Sequence, residues 1–514
     1  MNPSHRIVIN TAATYTRSVL GAGLALFSSR WVLLGMGQSD YGLFSVVGSI
    51  IVFITFLNSV MAGSAARHYA FSIGQDDPTE VNRWFNAALS MHIVLGVVLV
   101  LVGWQIGEYV IANFLTIPTD RLPTCLWVFR ISLISAFVSM LSIPFIAMFT
   151  AKQRIVDLAV WNMLYSLMTF VLAWILTRVT GDRLLFYTGG MVGIIVFIQF
   201  AQILWALTAF RECRIHYHQW LDKHRLKEIF SFASWSLIGN SGMILRNQGS
   251  AILLNIQFGP RVNAAYGIAN QVSAQTDQLA AAMIGAFSPE ITTSEGRGNR
   301  VRMLSLSQRA SKFGTILVLL FTIPLMVEMD YVLKIWLGDP PLHTAMLCRL
   351  ILTTFIIDRL SVGNMMAVIA CGKIAAYQAT VGTCLVLTLP LAWIFLKLGA
   401  PPASVGVAFV ITMIAVSAGR VFWVRRLMGV PIRQWVGATF VPCGIVASAA
   451  MLSALTPRLL LPTSFTRLVS VTVISIIISL LTAWFFAFDR NEREFFRHNL
   501  RRLLSKISAI VSHR

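Results

Sequence analysis

The feature that most limits this chain is a succession of apolar runs, each continuous over about 20 residues, the length a helix needs to cross the hydrocarbon core of a bilayer. About fourteen such runs fall at 9–33, 41–66, 84–106, 125–149, 155–177, 184–208, 230–256, 262–287, 313–335, 345–370, 375–396, 403–424, 435–455 and 468–488. The runs are continuous instead of alternating with a period of two, which excludes a transmembrane β-barrel. They predict an all-α polytopic membrane protein. The links are short, so helices adjacent in sequence are expected to pack together. Charged residues make up only 12% of the 514, against about 25% in an ordinary soluble domain. A basic N-terminus before the first run has the outline of a signal peptide. Arg17 interrupts that run and no small-residue cleavage site closes it, so a retained first helix is expected.

Lysine and arginine orient the spans. The loops on one side, with both termini, carry 27 of them, and the opposite loops carry 8. The positive-inside rule then puts both termini in the cytoplasm, consistent with an even number of spans, and the chain is expected in a bacterial inner membrane. In a soluble protein the net charge of +20 would suggest nucleic acid. Here the basic residues flank the spans, and anionic membrane lipid is the expected partner instead. Two basic segments border the membrane. The segment 211–229 mixes Arg, His and Lys with Trp220, Leu221 and Leu226. The tail 489–514 sets Phe496, Leu500, Leu503, Leu504, Ile507 and Val511 at helical spacing among Arg493, Arg497, Arg501, Arg502 and Lys506. An interfacial amphipathic helix and a solvated basic tail both fit it.

An internal repeat divides the chain. LGMGQSDYGLFSVV near the second span resembles IQFGPRVNAAYGIAN near the eighth, and 144–162 resembles 364–382. Two like-oriented halves of six helices give a pseudo-axis along the membrane normal, the parallel-repeat arrangement of many transporters, with a site between the halves. The expected organisation is a six-helix bundle at 1–210, a cytoplasmic amphipathic linker at 211–229, a second six-helix bundle at 230–430, two extra spans at 431–488 and a basic cytoplasmic tail at 489–514.

Ionisable residues at membrane depth are the candidate functional groups. In the stretch 258–291, Tyr266, Asn270, Ser273, Asp277 and Ala281 share one helix face. A mid-span carboxylate costs about 2.5–3.5 kcal/mol on insertion scales unless it faces protein or water, so Asp277 is either a functional group or part of a helix contact face. Arg17 lies well inside the first span, with Asn10 on its face. Arg246 and Asn247 lie inside the seventh, below Asn240. Arg130 and Arg349 lie near the outer ends of the fourth and tenth spans, where lining a cavity and snorkelling fit equally, and Arg30 is expected to snorkel. Asp358 and Arg359 sit mid-span in the tenth and point about 100° apart, so Asp358 is free to pair with an arginine on a neighbouring helix. Arg17, Arg246, Arg130 and Arg349, with Asn10, Asn240, Asn247 and Asn270, would line a cationic cavity suited to an anionic head group such as a pyrophosphate-linked sugar. Asp277 and Asp358 are the ion-coupling candidates. No nucleotide, metalloprotease or hydrolase motif occurs in context. The six cysteines are scattered and lack metal-ligand spacing. No enzyme activity, metal or cofactor is expected.

These residues carry a resemblance. Asn10-Thr11, Tyr15-x-Arg17, Arg30, Leu34-Gly35, the run from Asp40 to Gly48, Phe56-Leu57-Asn58, Ala66-Arg67 and Ile117-Pro118 resemble the first half of bacterial polysaccharide-biosynthesis flippases. Gly259 to Val272 and Ser288-Pro289-Glu290-Ile291 resemble the second half. The family lies in the multidrug/oligosaccharidyl-lipid/polysaccharide (MOP) exporter superfamily. The resemblance implies a MATE-like fold, two six-helix bundles around a central cavity that opens alternately to either side. For O-antigen-type members it also implies movement of undecaprenyl-pyrophosphate-linked oligosaccharide between leaflets. A cavity-lining role for Arg17 and Arg246 is implied, as are a polysaccharide polymerase and glycosyltransferases as partners in lipopolysaccharide or other surface-glycan synthesis. Many relatives carry an acidic residue in the seventh helix, where this chain reads Arg246-Asn247-Gln248-Gly249-Ser250. That departure moves the expected coupling carboxylate to Asp277. The alternative activities are cation-coupled drug export on the same fold, against which the lack of a carboxylate in the first span counts, and a non-transporting scaffold of glycan assembly.

Overall fold

A computed structural model of the chain describes the backbone of residues 3–494 apart from 56, 75, 153, 221, 373, 374 and 491; the side chains of 1–20, 231–240, 278–286 and a number of single positions are outside the described set. The elements are α1 (Pro3–Thr55), α2 (Leu57–Gly74), α3 (Pro78–Asn113), α4 (Leu122–Ala151), α5 (Ile155–Leu176), α6 (Arg183–Ala209), α7 (Lys223–Phe258), α8 (Pro260–Gly296), α9 (Arg300–Val327), α10 (Met329–Leu337), α11 (Thr344–Ala370), α12 (Ala375–Val386), α13 (Thr388–Lys397), α14 (Ser404–Met428), α15 (Ile432–Trp435), α16 (Val441–Leu460) and α17 (Phe465–Thr482). Among the described residues there is no strand, and nine helical stretches are long and apolar enough to cross a membrane. The all-α polytopic reading therefore stands.

Helix starts follow from side-chain caps. Asp77 accepts from the Thr79 and Glu80 N–H groups ahead of Pro78, Asp222 from those of His224 and Arg225, and Asn299 and Ser464 cap α9 and α17. Two links expected as outer loops, 34–40 and 257–262, are reduced to single glycines. Gly37 (φ 77°) kinks α1, and Gly259 (φ 78°) is the one residue between α7 and α8. Positive φ is open to glycine at little cost, so one residue does what a loop would do. The repeat noted above aligns these two glycines.

The chain forms two compact units by its contacts. The first comprises 1–275, 333–351 and 378–412, the second 276–332, 352–377 and 413–514. In the first, Tyr69, Phe85, Phe145 and Phe149 centre one core, and Leu43, Val46, Phe129, Leu133 and Leu184 another. Here α1 and α8 cross closely. Asn263 Nδ2 donates to the Gly42 carbonyl at 3.2 Å, and a methyl group on Gly42 would run into the Pro260 carbonyl. In the second unit Val446, Ala450 and Ala454 recur every fourth residue on α16 and pack with Ile316, Leu319 and Ile323 of α9. Small residues on one face let membrane helices approach closely. Lys312 of α9, 7% exposed, donates to the Ala487 carbonyl at 3.0 Å and to Glu492 at 2.6 Å. Arg467 at the start of α17 pairs with buried Glu328 at 2.7 Å.

The linker after α6 lies against α3. Asn82 Nδ2 donates to the Glu212 and Arg214 carbonyls, Asn86 Oδ1 accepts from His216 N–H at 2.7 Å, and Lys152 pairs with Glu212 at 2.6 Å. Burial, the largest single influence, raises the Glu212 carboxyl, but the hydrogen bond and charge of Lys152, a backbone N–H and the charge of Arg211 together hold the group below its ordinary value of 4.5. A carboxyl depressed in the fold stabilises it above its unfolded value, and that contribution fades as pH falls through the folded one. Hydrogen-exchange protection of residues 211–220, corrected for intrinsic rate, should therefore decline as pH drops below 4.5, and the decline should be much weaker in Lys152→Met. At the α1–α8 crossing, Gly42→Ala should cost about 1–3 kcal/mol by overpacking. Gly48→Ala, where nothing lies within 4 Å of an added methyl, should leave the melting temperature in detergent unchanged.

Candidate functional site

The expected site residues fall into separate groups. In the first unit, Arg246 of α7 is buried, with 8% of its surface exposed. Its guanidinium lies 4.8 Å from the centre of the Phe409 ring, and Nε donates to Asn247 Oδ1 at 3.1 Å. Tyr266 stands on α8, 1% exposed, edge-on to the same Phe409 with ring centres 6.3 Å apart. Its hydroxyl donates to the Asn247 carbonyl at 3.0 Å and meets the side chains of Asn270 and Ser250. Arg246, Asn247 and Asn270 thus belong to one polar cluster with Tyr266 at its centre. A guanidinium stays ionised at any physiological pH, so this cluster holds a fixed positive charge at membrane depth.

Arg130 stands apart. On α4 it pairs with Glu108 of α3 at 2.5 Å, and its guanidinium lies 5.6 and 5.3 Å from the Trp104 and Trp127 rings. Both tryptophans are exposed on the outside of the bundle, the setting of an interfacial aromatic anchor. Arg349 lies half-buried on α11. Arg30, expected to reach for the interface, instead donates to the Ile335 carbonyl of α10 at 3.0 Å, because the end of α10 offers an unsatisfied acceptor close by. Arg17 and Asn10 on α1 and Asn240 on α7 have side chains outside the described residues, as does the tail from 495 onward.

Both coupling candidates lie in the second unit. Asp277 of α8 pairs with Arg359 of α11, whose guanidinium lies 4.4 Å from the Phe355 ring. Asp358 pairs with Arg420 of α14 at 2.8 Å, and the same Nη1 reaches the Asp358 carbonyl and Ser361 Oγ, each at 3.2 Å. Tyr377 closes the group against Arg420. Two carboxylates and two guanidiniums balance. The Asp277 side chain keeps 52% exposure against 18% for Asp358. Asp277 is accordingly the more accessible carboxylate of the two, while Asp358 is clamped.

Sequence reading missed Arg420 and Lys312 because both were counted as loop charges. A signal was present. Val416, Arg420 and Val424 are spaced by four on the buried face of α14, and Lys312, Ile316, Leu319 and Ile323 share a buried face of α9. It also missed Arg121, which bridges Asp40 at 2.5 Å and Asp182 at 3.1 Å and ties together the ends of α1, α4 and α6. The six cysteines are free, four of them buried, as expected of small apolar fillers. No cluster of metal-ligating side chains occurs among the described residues.

This geometry, long apolar helices with charged side chains buried between them, defines a polytopic membrane protein. No family model matches the sequence. An uncharacterised membrane protein, EpsK of Bacillus subtilis (strain 168), is 18% identical over 347 residues, 65% of this chain and 66% of its own length. Among solved structures, a lipid II flippase, MurJ, in an inward closed conformation superposes with a TM-score of 0.70 over 93% of this chain and 98% of that one, at 12% identity. An inward-facing multidrug resistance MATE transporter of the MOP superfamily superposes with a TM-score of 0.68 over 82% of this chain and 99% of that one, at 14% identity. The chain has the MurJ/MATE fold, as its sequence motifs implied.

Breaking a buried pair by removing one partner costs about 3–5 kcal/mol, since it strands the other charge. Arg420→Met should therefore lower the melting temperature sharply in detergent, and Asp358→Asn together with Arg420→Met should recover most of the loss. Equal destabilisation by single and double variants would show that the pair contributes nothing.

Proposed function

We propose that this protein moves a polyprenyl-pyrophosphate-linked oligosaccharide from the cytoplasmic to the periplasmic leaflet of a bacterial inner membrane, for surface polysaccharide synthesis, and performs no bond chemistry itself. The observation that carries the proposal is the extent of the fold match. The lipid II flippase superposes over 93% of this chain, the MATE transporter over 82%. The last helices, α16 and α17, are bound to α9 and its end by the Lys312–Glu492 and Arg467–Glu328 pairs. Arg246 adds the chemistry: a guanidinium forks onto phosphate oxygens and keeps its charge throughout transport. Arg17, in the span that opens the first half, is assigned the matching role there, and both termini are assigned to the cytoplasm. Asp277, half exposed beside Arg359, is the carboxylate assigned to ion coupling. Export of a cationic drug, the second reading, draws on the MATE likeness, but the fixed positive charge of Arg246 disfavours a cationic cargo.

A deletion strain should accumulate lipid-linked glycan and lose surface polysaccharide. Arg246→Ala should restore none of it at normal membrane abundance, and Arg246→Lys, which keeps the charge but loses the fork, should restore part. Full polysaccharide with Arg246→Ala would overturn the assignment. Normal polysaccharide in the deletion strain with lost drug resistance would move the activity to drug export.

A further inference from the structure

The first unit contains two cavities whose described linings are uncharged. One, of about 290 Å³, is bounded by α1, α5, α6 and the first part of α8, and Tyr41, Tyr165, Tyr187 and Gln271 line it together with the Ser28, Ser29 and Thr169 hydroxyls. The other, of about 580 Å³, opens between α4, α5 and α6 and is lined by Asn162, Gln199, Gln202 and Ser139. Tyr165 of α5 borders both. Among the described residues neither lining includes an Asp, Glu, Lys, Arg or His. Their sizes are near or within the range of about 300–1,000 Å³ usual for small-molecule sites.

Polar uncharged groups at this depth need a partner that hydrogen-bonds, because hydrocarbon cannot satisfy them. An acyl chain is therefore a poor occupant. The described walls offer hydrogen bonds and no charge, which suits a neutral sugar. The walls are also organised in advance. Gln199 Nε2 donates to Ser139 Oγ at 2.8 Å while its Oε1 accepts from Ser142 Oγ at 3.0 Å, and Gln271 Nε2 donates to the Ala25 carbonyl at 3.1 Å. Ser28, Ser166 and Thr169 spend their protons on carbonyls of their own helices, which leaves their oxygens as acceptors. Tyr41, Tyr165 and Tyr187 all border the first cavity and bring three phenols to its wall. Phenols and amides both donate and accept, and an aromatic face packs against C–H groups. A pyranose ring offers that combination: hydroxyls of both kinds around its edge and an apolar face.

We propose that these two neighbouring cavities are the seat for the sugar part of the transported head group, that they recognise neutral, hydroxyl-rich residues, and that Tyr165 is the contact common to both. The proposal rests on the flippase reading. It divides recognition in two: arginine for the pyrophosphate, the tyrosine and amide wall on α5 and α6 for the glycan.

The test uses the full chain in nanodiscs and two probes: the lipid-linked glycan that accumulates in the deletion strain, and polyprenyl pyrophosphate without sugar. Wild type should bind the glycosylated lipid about tenfold more tightly, as expected for one or two added hydrogen bonds. Tyr165→Phe with Gln202→Leu, which nearly conserve volume, should abolish that advantage and leave affinity for the bare pyrophosphate lipid unchanged, with the melting temperature as the control for folding. Arg246→Ala should do the reverse. An undiminished sugar advantage in the double variant overturns the proposal, as does equal loss for both probes at unchanged melting temperature, which would mark the wall as lining for lipid. If the deletion strain accumulates no lipid-linked glycan, the flippase reading itself has failed.

Discussion

A charge at bilayer depth must be answered by protein or by water, and the ways this chain answers its charges set the rest of its architecture. Lys312 is answered by Glu492 and by the carbonyl end of the last span, which fixes α16 and α17 on α9. Arg420 is answered by Asp358 and Arg359 by Asp277, which ties α8, α11 and α14 into a balanced group. Arg246 is held differently, against an amide oxygen and the face of a phenylalanine. An aromatic face stabilises a cation without cancelling its charge. The ion pairs tie helices together, whereas the described contacts of Arg246 are an amide oxygen and an aromatic face.

A second constraint acts through the backbone. The crossing of α1 and α8 requires glycine at 42 and a polar donor at Asn263, and each crossing helix is bounded by a positive-φ glycine. A kink made by one residue keeps the helix on both sides intact, so few carbonyls are left unsatisfied where a longer loop would leave many. The interior helix prolines Pro144 and Pro324 are tolerated because membrane helices re-satisfy the freed groups through their neighbours.

Much of the fold was legible in the sequence. Continuous apolar runs specified helices, and a repeated glycine context around 37 and 259 marked equivalent turns. Loop length was less legible, since hydropathy cannot separate a short polar loop from a glycine kink with polar flanks. For the site, the adjacency of Arg246 and Asn247 and the face shared by Tyr266 and Asn270 were readable from periodicity. The partners of the charged residues were not, because they come from helices far apart in sequence. Arg420 and Asp358 are separated by 62 positions, Lys312 and Glu492 by 180. Uncharged cavity walls were the least legible part. Tyr41, Tyr165 and Tyr187 are ordinary helix residues until the packing of α1, α5 and α6 brings them to one cavity.

The central claim is that a lipid carrying an anionic, glycosylated head crosses the membrane through this protein. The most direct measurement is transbilayer movement in proteoliposomes of purified protein loaded with polyprenyl-pyrophosphate-linked glycan, read as the fraction of glycan on the outer leaflet accessible to an added glycosidase. The account predicts that accessibility rises with time well beyond the outer-leaflet share in liposomes with wild-type protein, and stays at that share without protein or with Arg246→Ala. Equal accessibility with and without protein would contradict it.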